Sequence, residues 1–397
     1  MNDLLHVLIE CYDILEDCVR GRGMVIYLDN AATSWPKPES VLRAVMGVQQ
    51  KPFGNPGRGG HRASLCAGRV VYACREEAAR FLGGVPERVI FTLNCTDALN
   101  MALRGFLHKG DHVLITHDAH NAVMRPLCGM EKRGEITLSV LRAGADGVIA
   151  PEAIDEAVTP ATALCVLTHA SNVTGTIQDA KGLTEASHRY GVPVLLDAAQ
   201  TAGTINLADV SADLLAMPGH KGLLGPMGTG ILYVGEQMDL RPLREGGTGS
   251  SSESVYQPQL LPDRYESGTL ALPGLAGLLQ GIRFVRQHCA EIHAYEVQLI
   301  DELRSGLKNI PGVKVYGDDA APHGGVLSFN IAGYDSAETA DRLDRAGFCL
   351  RGGLHCAPSM HHFLGTEGTV RASVGPFSTG REIDLLLAEV EKIAKRA

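Results

Sequence analysis

The stretch Met217-Pro218-Gly219-His220-Lys221-Gly222-Leu223-Leu224-Gly225-Pro226 sets a single lysine among glycines and apolar residues. Such neighbours bury an ammonium and lower its pKa, and a lysine amine made neutral attacks carbonyls. The commonest protein use of that reactivity is to hold pyridoxal phosphate as a Schiff base. A phosphate-binding P-loop is the competing reading, but the spacing of glycines ahead of Gly-Lys-Ser/Thr is absent.

Pyridoxal chemistry also needs a carboxylate against the ring nitrogen, so that the ring can accept electrons. Asp197 is the candidate: it ends the apolar run Val192–Leu196, which reads as a buried strand, and small residues follow it. The C-terminal ends of strands are where open α/β sheets bind ligands. An aspartate there is more often a helix cap, and only the lysine downstream raises it above that.

A second centre lies far along the chain, in Arg351-Gly352-Gly353-Leu354-His355-Cys356-Ala357-Pro358. Glycines and a proline put Cys356 in a loop, where a thiol is accessible, and Arg351 and His355 are expected to favour its thiolate. Cys356 is the best nucleophile candidate. Arg371, after Val370 and before Ala372-Ser373, is expected at a strand end pointing inward, a bidentate clamp for a carboxylate.

The elements that position these residues follow from periodicity. Residues 3 to 19 have helical spacing, and Gly21-Arg22-Gly23 ends that extension. A short strand, Val25–Leu28, runs into the polar turn Asp29–Thr33, and a helix over about 38 to 50 follows. Asn55–His61 is a glycine-rich loop read as a flexible connection or as backbone approaching a ligand. After a helix over 64 to 82, strand Val89–Thr92 meets a helix start at Asn94-Cys95-Thr96, an anion site suited to a phosphate. Strand His112–Ile115 leads to His120, placed to stack on a pyridine ring. Strand Ala163–Leu167 leads to Ser171–Gly175. Gly228–Val234 is expected to close the sheet, and a long helix over 274 to 308 to lead into the C-terminal part. Alternating strands and helices predict an α/β fold with a largely parallel sheet between helices, plus a smaller α+β unit.

Composition bounds the function. The chain has 397 residues, 45% hydrophobic and 20% charged, enough for a large core. A formal net charge of −9 gives no footprint for nucleic acid or an anionic membrane. The ten cysteines lack CxxC pairs and zinc-like spacing, so no metal site is indicated and a reducing cytoplasm fits. No signal peptide or membrane span is expected, since Leu4–Val19 carries four acidic residues.

Between Ile26 and Ile393 the sequence resembles the class V aminotransferase group of fold-type I pyridoxal phosphate enzymes, within it the cysteine desulfurase and selenocysteine lyase-like proteins. The motifs that carry this are Leu28–Thr33, Ser171–Gly175, Asp197–Gln200, Gly219–Lys221, Ser267–Thr269, Arg351–Cys356 and Arg371–Ser373. The resemblance implies a seven-stranded sheet in a large unit (24–270), with a smaller unit (271–397) that carries the cysteine loop and packs with about 24–45. It implies Lys221 as the Schiff-base lysine, Asp197 as the ring-nitrogen partner and His120 as the stacking histidine. Cys95, Thr96, Gln200 and His220 would surround the phosphate and ring oxygen, with Thr269 given by the second subunit of a homodimer. Asn172 would contact cofactor or substrate, Arg371 would clamp the substrate carboxylate with Arg351 nearby, and Cys356 would accept sulfur.

Three positions depart from the group's pattern: Cys95 stands for threonine, Pro218 for serine or threonine, and Leu354 for a frequent histidine. The first two weaken the hydroxyl cradle of the phosphate, which backbone N–H groups must then remake. The implied reaction converts L-cysteine to alanine and leaves its sulfur on Cys356 for an acceptor protein. L-selenocysteine lyase, an aminotransferase or epimerase, and an inactive sulfur-carrier or scaffold are the alternatives.

Overall fold

The computed structural model describes residues 25–57 and 59–396; the helix expected over 3 to 19 lies outside them. In chain order the strands are β1 (Ile26–Tyr27), β2 (Val89–Thr92), β3 (His112–Thr116), β4 (Thr137–Leu141), β5 (Thr162–Thr168), β6 (Val194–Asp197), β7 (Leu214–Pro218), β8 (Gly230–Val234), β9 (Val313–Tyr316), β10 (Val326–Ile331), β11 (Phe348–Cys349), β12 (Arg351–Gly353) and β13 (Thr369–Ser373). The helices are α1 (Glu39–Gln49), α2 (Arg62–Leu82), α3 (Cys95–Phe106), α4 (Asn121–Lys132), α5 (Glu152–Ala157), α6 (Ala180–His188), α7 (Leu272–Lys308), α8 (Ser336–Arg345), α9 (Pro358–Phe363) and α10 (Gly380–Ala394).

Seven strands form one sheet in the order β2-β8-β7-β6-β5-β3-β4. Side-chain alternation explains why its strands read as continuous apolar runs: both faces are covered. Cys165, Leu167, Val194 and Leu196 enter one core, with α2 and the first half of α7. Leu164, Val166 and Leu195 enter the other, with α3 and α4. Asp197 comes where the apolar run stops, so it lies at the sheet's C-terminal edge, the edge from which β3 and β5 also emerge.

Helix α7 is long enough to serve two cores. Its first half, Leu275 to Ile292, packs under the large sheet, and Leu299 to Leu307 packs under the small one. That small sheet runs β12-β13-β10-β9 and is antiparallel. Strand β1 pairs with β11, and the chain then passes along the end of β13, where Ser373 bonds Leu28 and Asn30.

Several expectations are corrected. Gly230–Val234 does not close the sheet: β8 lies between β2 and β7, antiparallel to both, and β2 forms the edge. Arg371 is not at a strand end but in the middle of β13, opposite Ser328 and Arg351. From that interior position its side chain still reaches the Asn172 carbonyl and Asp29. Arg351–Gly353 is itself a strand, and the loop proper begins at Leu354. Gly57, Gly59 and Gly60 face the stretch 245–258 and not the Lys221 pocket.

Candidate active site

One pocket opens at the C-terminal edge of the large sheet. Cys95, Thr96, His120, Asn172, Asp197, Gln200, His220 and Lys221 line it, together with Asn94, Thr168 and Pro218. Three loops and a helix start deliver them. Asn94 caps α3 by accepting from the Asp97 N–H at 2.9 Å, which leaves the first N–H groups of that helix for a ligand. His120 caps α4 in the same way, its Nδ1 accepting from the Ala122 N–H at 3.0 Å.

Lys221 sits in a turn with no room. A side chain on Gly222 would meet the Ala202 carbonyl at 2.2 Å, and one on Gly219 the Thr229 hydroxyl at 2.1 Å. Burial of its ammonium, and then the charge of Arg371, hold the Lys221 pKa below the ordinary lysine value, against the opposing pull of Cys95 and Asp197. Burial pushes Asp197 the other way, partly offset by the Ala199 N–H, which donates to Oδ1 at 3.0 Å. Cys95 stays a thiol because burial and Asp197 raise its pKa, and its Sγ donates to Asp197 Oδ1 at 3.7 Å. Burial brings His120 and His220 down to about 4, so both rings are neutral.

Two buried polar atoms on this pocket have no partner, Thr168 Oγ1 and His220 Nδ1. Buried donors and acceptors are normally satisfied, so a polar guest is the simplest account of them. An amine, a buried carboxylate, a neutral ring and a free helix N-terminus around one cavity suit a phosphorylated, nitrogen-bearing aromatic ring with a carbonyl, as pyridoxal phosphate is.

Asn172 joins the pocket to the second centre. Its Nδ2 donates to the His355 carbonyl at 2.7 Å, and its own carbonyl accepts from Arg371 Nη1 at 3.1 Å. Arg371 is fully buried and also donates to Asp29 Oδ1 at 2.7 Å. The Asn121 N–H holds the Cys356 carbonyl at 2.8 Å. His355 and Cys356 both have positive φ, 50° and 58°, and Cys356 is half-buried.

His355 does not supply the charge expected of it. Its Nε2 reaches the Thr369 carbonyl at 3.0 Å, and burial, with Arg371 and His361, brings it down to about 3. Arg371 is instead the cation that interacts with Cys356. Arg351 is exposed and forms no ion pair among the described residues. Thr269 lies away from the pocket of its own chain, its Oγ1 accepting from Asn55 Nδ2 at 3.3 Å.

Sequence reasoning passed over three groups. Thr168 could have been found as the polar residue ending a buried strand. Asp29 lies inside the Leu28–Thr33 motif, where nothing local marks its contact with Arg371. Lys37, brought down to about 8 by burial, donates to the His220 carbonyl at 2.8 Å, and nothing in Pro36-Lys37-Pro38 marks it. Among the described residues no side-chain cluster could hold a metal, and no helix is long and apolar enough to cross a membrane.

The chain belongs to the class-V aminotransferase family, a family of pyridoxal-phosphate-dependent enzymes, whose model matches residues 26–386. Within it the relatives are cysteine desulfurases. One from Methanothermobacter thermautotrophicus, named a probable cysteine desulfurase, is 37% identical over 381 residues, 93% of this chain and 94% of its own length. Another of that name, from Halalkalibacterium halodurans, is 32% identical over 98% of this chain and 97% of its own. The solved cysteine desulfurase of Thermococcus onnurineus NA1 superposes with a TM-score of 0.89 at 30% identity, covering 94% of this chain and 95% of that one.

Proposed function

We propose that this chain is a pyridoxal-phosphate-dependent cysteine desulfurase, taking sulfur from L-cysteine onto Cys356 and releasing L-alanine. The observation that carries this is the bridge at Asn172, which ties the Lys221 pocket both to a buried arginine and to the cysteine turn. An amino acid held at Lys221 with its carboxylate on Arg371 has a thiol nucleophile within the same constellation.

When bound, pyridoxal phosphate supplies an electron sink conjugated with the substrate Cα. Lys221 would hold it, Asp197 would keep a proton on the ring nitrogen, and His120 would cover the ring face. The N-terminus of α3, Thr96, Gln200 and His220 would receive the phosphate and ring oxygen. Arg371 and Asn172 orient the substrate carboxylate, with Arg351 at the rim. The Lys221 amine, its pKa lowered by burial and by Arg371, removes the Cα proton. The Cys356 thiolate then attacks the substrate Sγ: an S–S bond forms and the Cβ–S bond breaks. Its electron pair stays with Cβ, which takes up a proton, and the protonated Lys221 returns a proton to Cα, so that alanine can leave. The sulfur remains on Cys356 as a persulfide for an acceptor.

In this reading residues 24–270 form the cofactor-binding unit and 271–397 the smaller unit that brings Cys356. Thr269, too far from its own pocket, would complete the phosphate site of a second subunit. Free cysteines among the described residues suit a reducing cytoplasm.

The test is the visible absorbance of purified protein, then sulfide and alanine assayed together with L-cysteine and a reductant. Wild type is expected to show the cofactor band and both products in equal amounts. Cys356→Ala should keep the band and lose cysteine-derived sulfide, and Lys221→Ala should lose turnover altogether. A band with neither product in wild type would end the cysteine reading, and L-selenocysteine would be the next substrate tried.

A further inference from the structure

The Asp29–Lys37 segment touches both halves of the site and has no role in the reaction as given. At one end its backbone is stitched to β13: the Ser373 N–H donates to the Leu28 carbonyl at 2.7 Å, and the Ala31 N–H donates to Ser373 Oγ at 2.9 Å. At the other end it rests on the Lys221 turn, where Ser34 Oγ donates to the Lys221 carbonyl at 2.9 Å and Lys37 Nζ to that of His220 at 2.8 Å. Asp29 therefore stands on a fixed backbone two residues along from Arg371 in the neighbouring strand.

Its carboxylate is the sole salt-bridge partner of Arg371 among the described residues, 2.7 Å from Nη2, with the arginine side chain only 2% exposed and the aspartate 21%. A buried guanidinium without an acceptor on each side can rotate or withdraw. Here Asp29 holds Nη2 and the Asn172 carbonyl holds Nη1. A guanidinium has five N–H donors, so two fixed contacts set its plane and leave enough for a carboxylate.

Accepting the assignment of Arg371 as the substrate clamp, we propose that Asp29 is a positioning residue for it. Asp29 fixes the angle at which the guanidinium meets the substrate carboxylate, and the segment's far end ties that angle to the place of Lys221.

The experiment compares Asp29→Ala, which removes the acceptor, with Asp29→Asn, which keeps an oxygen at the same reach. Asp29→Ala is expected to raise KM for L-cysteine about ten-fold or more, the loss of one charge-assisted hydrogen bond, with kcat within about three-fold. Asp29→Asn should recover most of the loss, and both should keep the wild-type visible band. A second readout needs no turnover: L-alanine and L-alaninamide are titrated against that band. Asp29→Ala should weaken L-alanine and leave alaninamide, which has no carboxylate, unchanged. If wild type makes no alanine from cysteine yet this titration pattern holds, the desulfurase reading fails and the role of Asp29 stands. Wild-type KM and alanine binding in Asp29→Ala, an equal fall in kcat, or an Asp29→Asn as impaired as the alanine variant would each overturn it.

Discussion

The Lys221 turn and the Cys356 turn are both short, irregular and central to the proposed chemistry, yet they are fixed by opposite means. Around Lys221 the backbone is held by lack of space: Cβ atoms at Gly219, Gly222 and Gly225 would fall 2.1, 2.2 and 2.8 Å from their nearest neighbours. Ahead of Cys356 the packing loosens: a Cβ on Gly352 would meet the Ser336 carbonyl at 2.4 Å, but nothing lies within 4 Å of one on Gly353. That turn is held by hydrogen bonds from distant residues: Asn172 and Asn121 on its carbonyls, and Thr369 on the His355 ring. A lysine that must keep a lowered pKa needs walls that exclude water. A thiol that must reach substrate and then an acceptor needs an open surround, so its backbone has to be pinned from beneath.

Matched glycine substitutions test this contrast, and they carry the largest expected effect. Gly222→Ala drives a methyl into the Ala202 carbonyl, which is backbone and cannot swing aside, at a cost of about 3 kcal/mol. The cofactor band should be lost with it. Gly353→Ala meets no atom and pays only for its φ of 110°, about 1–2 kcal/mol, with the band retained. Urea denaturation and visible absorbance measure both, and a Gly353→Ala more damaging than Gly222→Ala would end the comparison.

Asn172→Ala, next in size, attacks the pinned turn and the edge of the Lys221 pocket together. It leaves the His355 carbonyl buried and unpaired, a cost of about 1–3 kcal/mol. Alkylation of Cys356 by iodoacetamide should quicken as the turn loosens, while persulfide formation from L-cysteine slows about ten-fold or more. A variant that alters neither rate would show that Asn172 does not hold the turn.

The same contrast explains what could be read from the sequence. Tight packing writes itself locally, as glycines around one lysine and as an apolar run ending in Asp197, so the large sheet and the Lys221 pocket were legible. Pinning by hydrogen bonds is written in partners far apart: Asn172 lies 183 residues before His355, and Asp29 lies 342 before Arg371. No local pattern announces such pairs. The nearness of His355 to Cys356 in sequence says nothing of its burial against Thr369. The place of Arg371 in the middle of β13 cannot be read from two apolar neighbours. The antiparallel insertion of β8 between β2 and β7 is likewise a matter of which strands pair, which a single apolar run does not encode.

The smallest expected effect separates the two turns by pH. His355 stays neutral in the folded turn down to about 3, because burial and the charges of Arg371, His361 and Arg351 disfavour its ionised form. In an unfolded chain it takes up a proton near ~6.5. Its neutral form therefore adds stability that is complete above about 6.5 and falls by about 1.4 kcal/mol per pH unit as pH drops toward 3. His120 and His220 are held down to about 4 in the same direction, so overall denaturation sums all of them. The comparison that isolates this turn is amide exchange at Leu354–Ala357 in wild type and in His355→Asn, which has an N–H for the Thr369 carbonyl and nothing to titrate. Between pH 7 and 5.5 protection of those amides should fall by about ten-fold in wild type and stay level in His355→Asn once intrinsic rates are divided out. The Lys221 turn, which carries His220 held down to about 4, should lose protection to the same extent in both proteins. A loss at Leu354–Ala357 that persists undiminished in His355→Asn would mean that the Cys356 turn opens with its neighbours and has no separate latch.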